Sequence, residues 1–183
     1  MSAYKKRLLK TLKFEVSCLR KELEEIRPIF EEACSLFGSK VASYCSSKSV
    51  PNPLEDLKDK SKDKKSEDLN RPFKVIFRKI AVQTHPDKQV NQEKSELSEE
   101  RYIGATKAKE ESDVFELFGI ASDLKIDTSE LTFDEIDSLR EAIKEKREEI
   151  NNIYSSIVLK WYYANNKSKE KFIKSFVECN ISQ

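Results

Sequence analysis

Apolar residues fall at Leu9, Leu12, Val16, Leu19, Leu23, Ile26, Phe30, Ala33 and Phe37, in steps that alternate between three and four. Among regular backbones, only a helix puts such a series on one face. The spacing predicts a long amphipathic helical arm over residues 1–45 whose stripe must be covered by another element. Pro28 falls inside the run, where a missing N–H costs about 3 kcal/mol, so a kink near residues 24–28 or two successive helices is expected. A second seam follows at Ile136, Leu139, Ile143, Ile150, Ile153 and Ile157, with Asp134 and Glu135 suited to a helix N-terminus. Lys146 and Lys160 take core-type positions in it, where their stems can lie over apolar surface with the ammonium in water. Asn165, Asn166 and Lys167 read as a turn before a short helix carrying Phe172, Ile173, Phe176 and Val177. The two seamed helices can pair within one chain or across a homodimer, and spacing leaves both open.

Composition narrows what such helices can serve. Three glycines in 183 residues leave few positions for the positive-φ turns of phosphate cradles and dinucleotide loops, which argues against a Rossmann or P-loop enzyme. The chain carries 34 basic and 33 acidic side chains, a net charge of +1 that argues against a chain-wide nucleic-acid track while hiding any local patch. Cys18, Cys34, Cys45 and Cys179 form no CxxC pair, so reduced thiols are expected, with no metal site and no cofactor. No stretch is apolar and long enough to span a bilayer, so a cytoplasmic protein with no membrane partner is expected. Residues 46–70 mix serine, two prolines and dense Lys and Asp with almost no apolar residue, and read as a charged flexible linker.

Residues 71–90, RPFKVIFRKIAVQTHPDKQV, carry the most information. At about 100° per residue, Phe73, Ile76, Phe77, Ile80 and Thr84 share one face, while Arg71, Lys74, Arg78 and Ala81 form a stripe leading toward His85. A residue before proline is pushed out of the α region, so the helix should stop at Thr84 and hold His85, Pro86 and Asp87 in a loop. His85 is the one histidine of the chain, and nothing in the spacing supplies the companions of a metal centre or a nucleophilic triad. A catalytic role is therefore not expected.

The run FRKIAVQTHPDK resembles the second helix and His-Pro-Asp loop of the J-domain, the signature of the DnaJ co-chaperone family. The likeness rests on Phe77, Arg78, Lys79, Ile80 and Ala81 before the loop and Lys88 after it. Beyond a polar loop at residues 89–98, Tyr102, Ala105 and Ala108 are similar to the apolar positions of the third J-domain helix, and residues 114–127 resemble the extension of some divergent J-like proteins. The resemblance implies a helical hairpin that docks on a DnaK-type seventy-kilodalton heat-shock chaperone and stimulates its ATP hydrolysis. The docking residues it implies are His85, Pro86, Asp87, Lys74, Arg78 and Lys79. Residues 53–70 contain no counterpart of the family's first helix, so the flanking helices or the Val114–Leu124 segment are expected to replace it. With no Gly/Phe-rich or zinc region, a specialised recruiter for one client is expected rather than a general chaperone.

The expectation is thus an all-α protein with a J-domain-like hairpin at residues 71–127, flanked by long amphipathic or coiled-coil helices, the C-terminal one within residues 128–183. Two other readings compete with the co-chaperone. One is a structural coiled-coil interaction protein in which the HPD tripeptide is vestigial. The other, weakest, is a nucleic-acid binder using the α-helical stripe and the linker lysines, whose interspersed aspartates oppose it.

Overall fold

The structure is a computed structural model that describes residues 2–55, 69, 71–85 and 92–181. Among the described residues there are seven helices and no strand, as an all-α expectation requires. They are α1 (Ala3–Lys48), α2 (Arg71–Thr84), α3 (Gln92–Glu110), α4 (Val114–Asp123), α5 (Phe133–Ser155), α6 (Ile157–Tyr162) and α7 (Asn166–Ile181). They fall into two compact units, one of residues 1–21 and 65–147 and one of residues 22–64 and 148–183.

The first unit is built on the opening turns of α1, on α2 to α4 and on the start of α5. Leu9, Leu12, Val16 and Leu19 of α1 are buried, as are Phe73, Ile76, Ile80 and Thr84 of α2 and Ile136, Leu139 and Ile143 of α5. Helices α2, α3 and α4 pack against one another in all three pairings. The most enclosed is α4, with Phe115, Leu117, Phe118, Gly119, Ile120 and Ala121 all buried. Its start is set by Asp113, whose carboxylate accepts the Glu116 amide at 2.9 Å. A reciprocal cap starts α5: the Glu135 carboxylate accepts from the Thr132 amide at 2.7 Å and from the Thr132 hydroxyl.

A charged clamp holds α1 to α4 in this unit. Arg20 donates Nη2 to Glu116 Oε1 at 2.9 Å, Nε to Glu116 Oε2 at 3.2 Å and Nη1 to Asp123 Oδ2 at 2.6 Å. Burial pulls the guanidinium pKa down, but the hydrogen bond to Asp123 and the charges of Glu116 and Asp123 more than reverse this, and the net shift is upward.

In the second unit, Phe37, Val41 and Cys45 of α1 form one cluster with Trp161, Ile173 and Val177. A second cluster joins Ile26 and Ala33 to Ile153 and Leu159. Burying an aliphatic side chain of this size stabilises by about 1.5–3 kcal/mol, which makes these contacts the main support of the unit.

Three local expectations change. First, of the kink or two successive helices expected at Pro28, the second does not occur, and α1 runs through Pro28 as one helix. Pro28 faces solvent, so the carbonyl that loses its N–H donor can turn to water, while Ile29 and Phe30 pack on the Ile26 cluster just beyond it. Second, the second seam is not one helix. Ser156 leaves the helical region at φ −60° and ψ 146° and caps a new helix by accepting the Leu159 amide, so Ile157 is exposed and Leu159 and Trp161 are buried instead. Third, α3 begins at Gln92, within the stretch expected to be loop, because QEKSELSEE consists largely of good helix formers. The linker expected at 46–70 starts later than its composition suggests, since α1 runs to Lys48, and residues 56–68 of it lie outside the described residues. Between the two seamed helices, Arg147 donates to Glu15 in the first unit and Arg27 to Glu149 at 2.7 Å in the second, so they meet within one chain.

Candidate functional site

The end of α2 is positioned from its buried face. Phe73 and Ile80 are fully buried and Ile76 nearly so, which fixes the rotation of the helix and leaves Arg71 and Arg78 exposed. Phe77, expected in the core, is only half-buried, with the Lys109 ammonium 4.8 Å from its ring centre. Thr84 is 1% exposed, and its hydroxyl donates to the Ile80 carbonyl at 2.9 Å, which satisfies the one polar group of this side chain.

The helix ends at Thr84, at the expected residue. The His85 amide donates to the Ala81 carbonyl at 2.9 Å and closes the last turn. The imidazole of His85 meets the Tyr102 ring of α3 edge-on, with centroids 5.6 Å apart. Gln83 Nε2 reaches the Leu124 carbonyl at 3.4 Å and ties the same turn to the end of α4. The helix thus presents His85 from a turn secured to both neighbouring helices. Pro86 and Asp87 lie outside the described residues.

Of the three cations expected on the docking face, Arg78 is exposed with no ion pair among the described residues, and Lys74 is half-buried. Lys79 is engaged with Glu130 at 3.3 Å. Next to that pair, Asp127 accepts from the Ser129 amide and hydroxyl at 2.9 and 2.8 Å. These two bonds hold its carboxyl below the usual carboxylate range against an opposing effect of burial, with smaller help from Lys79 and Lys13. An acidic turn at residues 127–130 therefore stands beside the cation farthest from the stripe. Sequence spacing found His85 and the cations but not Glu130, which lies 51 residues from Lys79 and has no local signal. Tyr102 was legible as an apolar position of α3, though not as the partner of the histidine ring.

Ala105 and Ala108 are buried on α3, where small side chains allow close approach of α2 and α4. Among the described residues no group of three His, Cys, Asp or Glu side chains is placed to hold a metal ion, and no helix is long and apolar enough to cross a membrane. Cys18, Cys34 and Cys179 are exposed and Cys45 is buried, all as free thiols. No protein-family model matches the chain, and neither a curated protein nor a solved structure matches it.

Proposed function

We propose that the chain is a divergent J-domain-like co-chaperone that docks on a DnaK-type heat-shock ATPase through α2 and the His85-Pro86-Asp87 loop, stimulates ATP hydrolysis there and recruits the ATPase to a specific client. One observation carries the reading: the amphipathic α2 buries its apolar face, shows Arg78 to solvent, and ends at the residue before the tripeptide, with His85 steadied against Tyr102. A basic stripe opposite an acidic partner surface orients the encounter and speeds it, and a charged loop can compete for an ion pair on the partner. No bond is made or broken on this chain. In this reading α4 supplies the packing that a first J-domain helix would give, since it lies against both α2 and α3.

The test is steady-state ATP hydrolysis by the cognate DnaK-type protein, with the wild-type chain, His85→Gln and Arg78→Ala. Wild type is expected to raise the rate several-fold, His85→Gln to abolish the increase, and Arg78→Ala to weaken the apparent affinity about tenfold at low salt. Equal rates with wild type and His85→Gln, at concentrations where binding is demonstrated, would leave the structural interaction protein with a vestigial HPD as the reading.

A further inference from the structure

The second unit holds a feature that the co-chaperone reading does not use. A cavity of about 890 Å³ lies between the last turns of α1 and the start of α7, within the size range of small-molecule sites. Lys40 and Lys48 line it from α1, and Lys169, Lys171 and Lys174 from α7. Glu170 is the one acidic residue in the wall. The lining thus carries five lysines against one glutamate, an excess of positive charge that favours an anion.

Three of these lysines, Lys40, Lys48 and Lys171, make no ion pair among the described residues, whereas Arg27 of the same unit is paired with Glu149 and Lys174 has Glu178 at 3.7 Å. Lys169 has no carboxylate partner among the described residues either; its ammonium sits 5.1 Å from the ring centre of Trp161 and 5.6 Å from that of Tyr162. Trp161 also lines the cavity and is 4% exposed, and its buried indole N–H has no acceptor among the described residues. Asn166, the first residue of α7, also lines the cavity, and Asn165 caps that helix by accepting the Ser168 amide at 2.9 Å, so the positive end of a 16-residue helix dipole adds to the lysine field.

A solvated lysine face would explain any two of these residues. Five lysines in the lining of one cavity, with a single glutamate beside them, point instead to an anion as its occupant. We propose that this cavity binds a multiply phosphorylated anion. The lining lysines are point charges on flexible stems, suited to surround tetrahedral oxygens, and no arginine fork for planar carboxylates is present in the wall. The same headgroup chemistry occurs free in solution and on phosphoinositide lipids.

Trp161 is the one tryptophan of the chain, so its fluorescence reports on the site directly. The full chain is titrated with inorganic tripolyphosphate, against sodium chloride of equal ionic strength, and the variants are measured by calorimetry after circular dichroism shows them folded. Wild type is expected to saturate below about 1 mM. Lys169→Ala and Lys171→Ala should each weaken binding about tenfold, Glu170→Gln should tighten it, and Lys10→Ala in the first unit should leave it unchanged. A flotation arm uses vesicles with and without a bisphosphorylated phosphoinositide. Vesicle binding with the same lysine dependence assigns the anion to a lipid headgroup, and soluble binding alone assigns it to a free ligand. No saturable binding in either arm overturns the proposal. So does a signal that sodium chloride reproduces, or binding that the lysine variants leave intact. None of these readouts depends on the heat-shock ATPase, so this site and the docking loop fail or stand separately.

Discussion

A β-carbon added to Gly119 would lie 2.5 Å from Arg20 Cδ and 2.9 Å from its Nε, and so would push the guanidinium away from the two carboxylates that flank this glycine on α4. Gly119→Ala is therefore expected to destabilise the chain by about 1–3 kcal/mol, the usual range for overpacking, read as a lower urea midpoint at unchanged slope. Gly38 is the contrasting case. Nothing lies within 4 Å of its added β-carbon, and Gly38→Ala should raise stability by roughly 0.5–1 kcal/mol through helix propensity alone. The scarcity of glycine says something different once the backbone is known. No described glycine has a positive φ, and the left-handed positions are taken by Ser49, Ser112 and Lys125 at φ 54°, 55° and 56°. Counting glycines argues soundly against a phosphate-cradling loop, but it underestimates how many left-handed turns the chain makes. On α2 the same limit appears: Lys79 was recognisable as a cation of the helix, while its pairing with Glu130 depends on how distant segments fold together.

Each of those left-handed residues ends a helix. After α3, the Asp113 amide donates to the Ala108 carbonyl at 2.7 Å and the Ser112 amide to Lys109 at 3.3 Å, the paired bonds of a Schellman cap that most helices complete with glycine. A left-handed L-residue costs about 1–2 kcal/mol, and glycine loses about 0.5–1 kcal/mol of that gain to its freer unfolded chain. Ser112→Gly should consequently stabilise by about 0.5–1 kcal/mol, visible as a rise of roughly 1–4 °C in Tm. At the other kind of boundary, Ser156→Ala removes the acceptor of the Leu159 amide at 3.2 Å and should cost about 1 kcal/mol, with the loss concentrated in amide exchange at α6. These boundaries mark where the sequence was readable and where it was not. The stripe of α1 stands in the order its spacing gives, buried from Leu9 to Phe37 except at the half-buried Phe30, because a helix repeats one geometry and nine positions average out local exceptions. The break at Ser156 depends on one side chain at one residue, so a periodicity extended through Ile157 misses it.

Neither compact unit is a continuous piece of chain. The first joins residues 1–21 to 65–147 and the second joins 22–64 to 148–183, so α1 contributes to both. Charge patterns, linker composition and heptad seams are all local in sequence, and none of them shows which distant segments share a core. The arrangement has a consequence for truncation. A chain ending at Arg147 keeps every residue of the first unit, including Arg20 with Glu116 and Asp123 and the packed trio α2, α3 and α4. It loses Ile153, Leu159, Trp161, Ile173 and Val177, the partners of Ile26, Ala33, Phe37, Val41 and Cys45. The truncated chain is therefore expected to keep near-native hydrogen-exchange protection over α4, while protection over residues 29–45 of α1 falls by at least two orders of magnitude. The bared stripe from Ile26 to Cys45 should also drive self-association in light scattering, because an uncovered apolar helix face finds a second copy. Protection lost evenly from α4 and the C-terminal half of α1 would mean that the two units fold as one cooperative structure. Protection kept in both would mean that the stripe on α1 needs no partner from α5 to α7, contrary to the burial that now covers it.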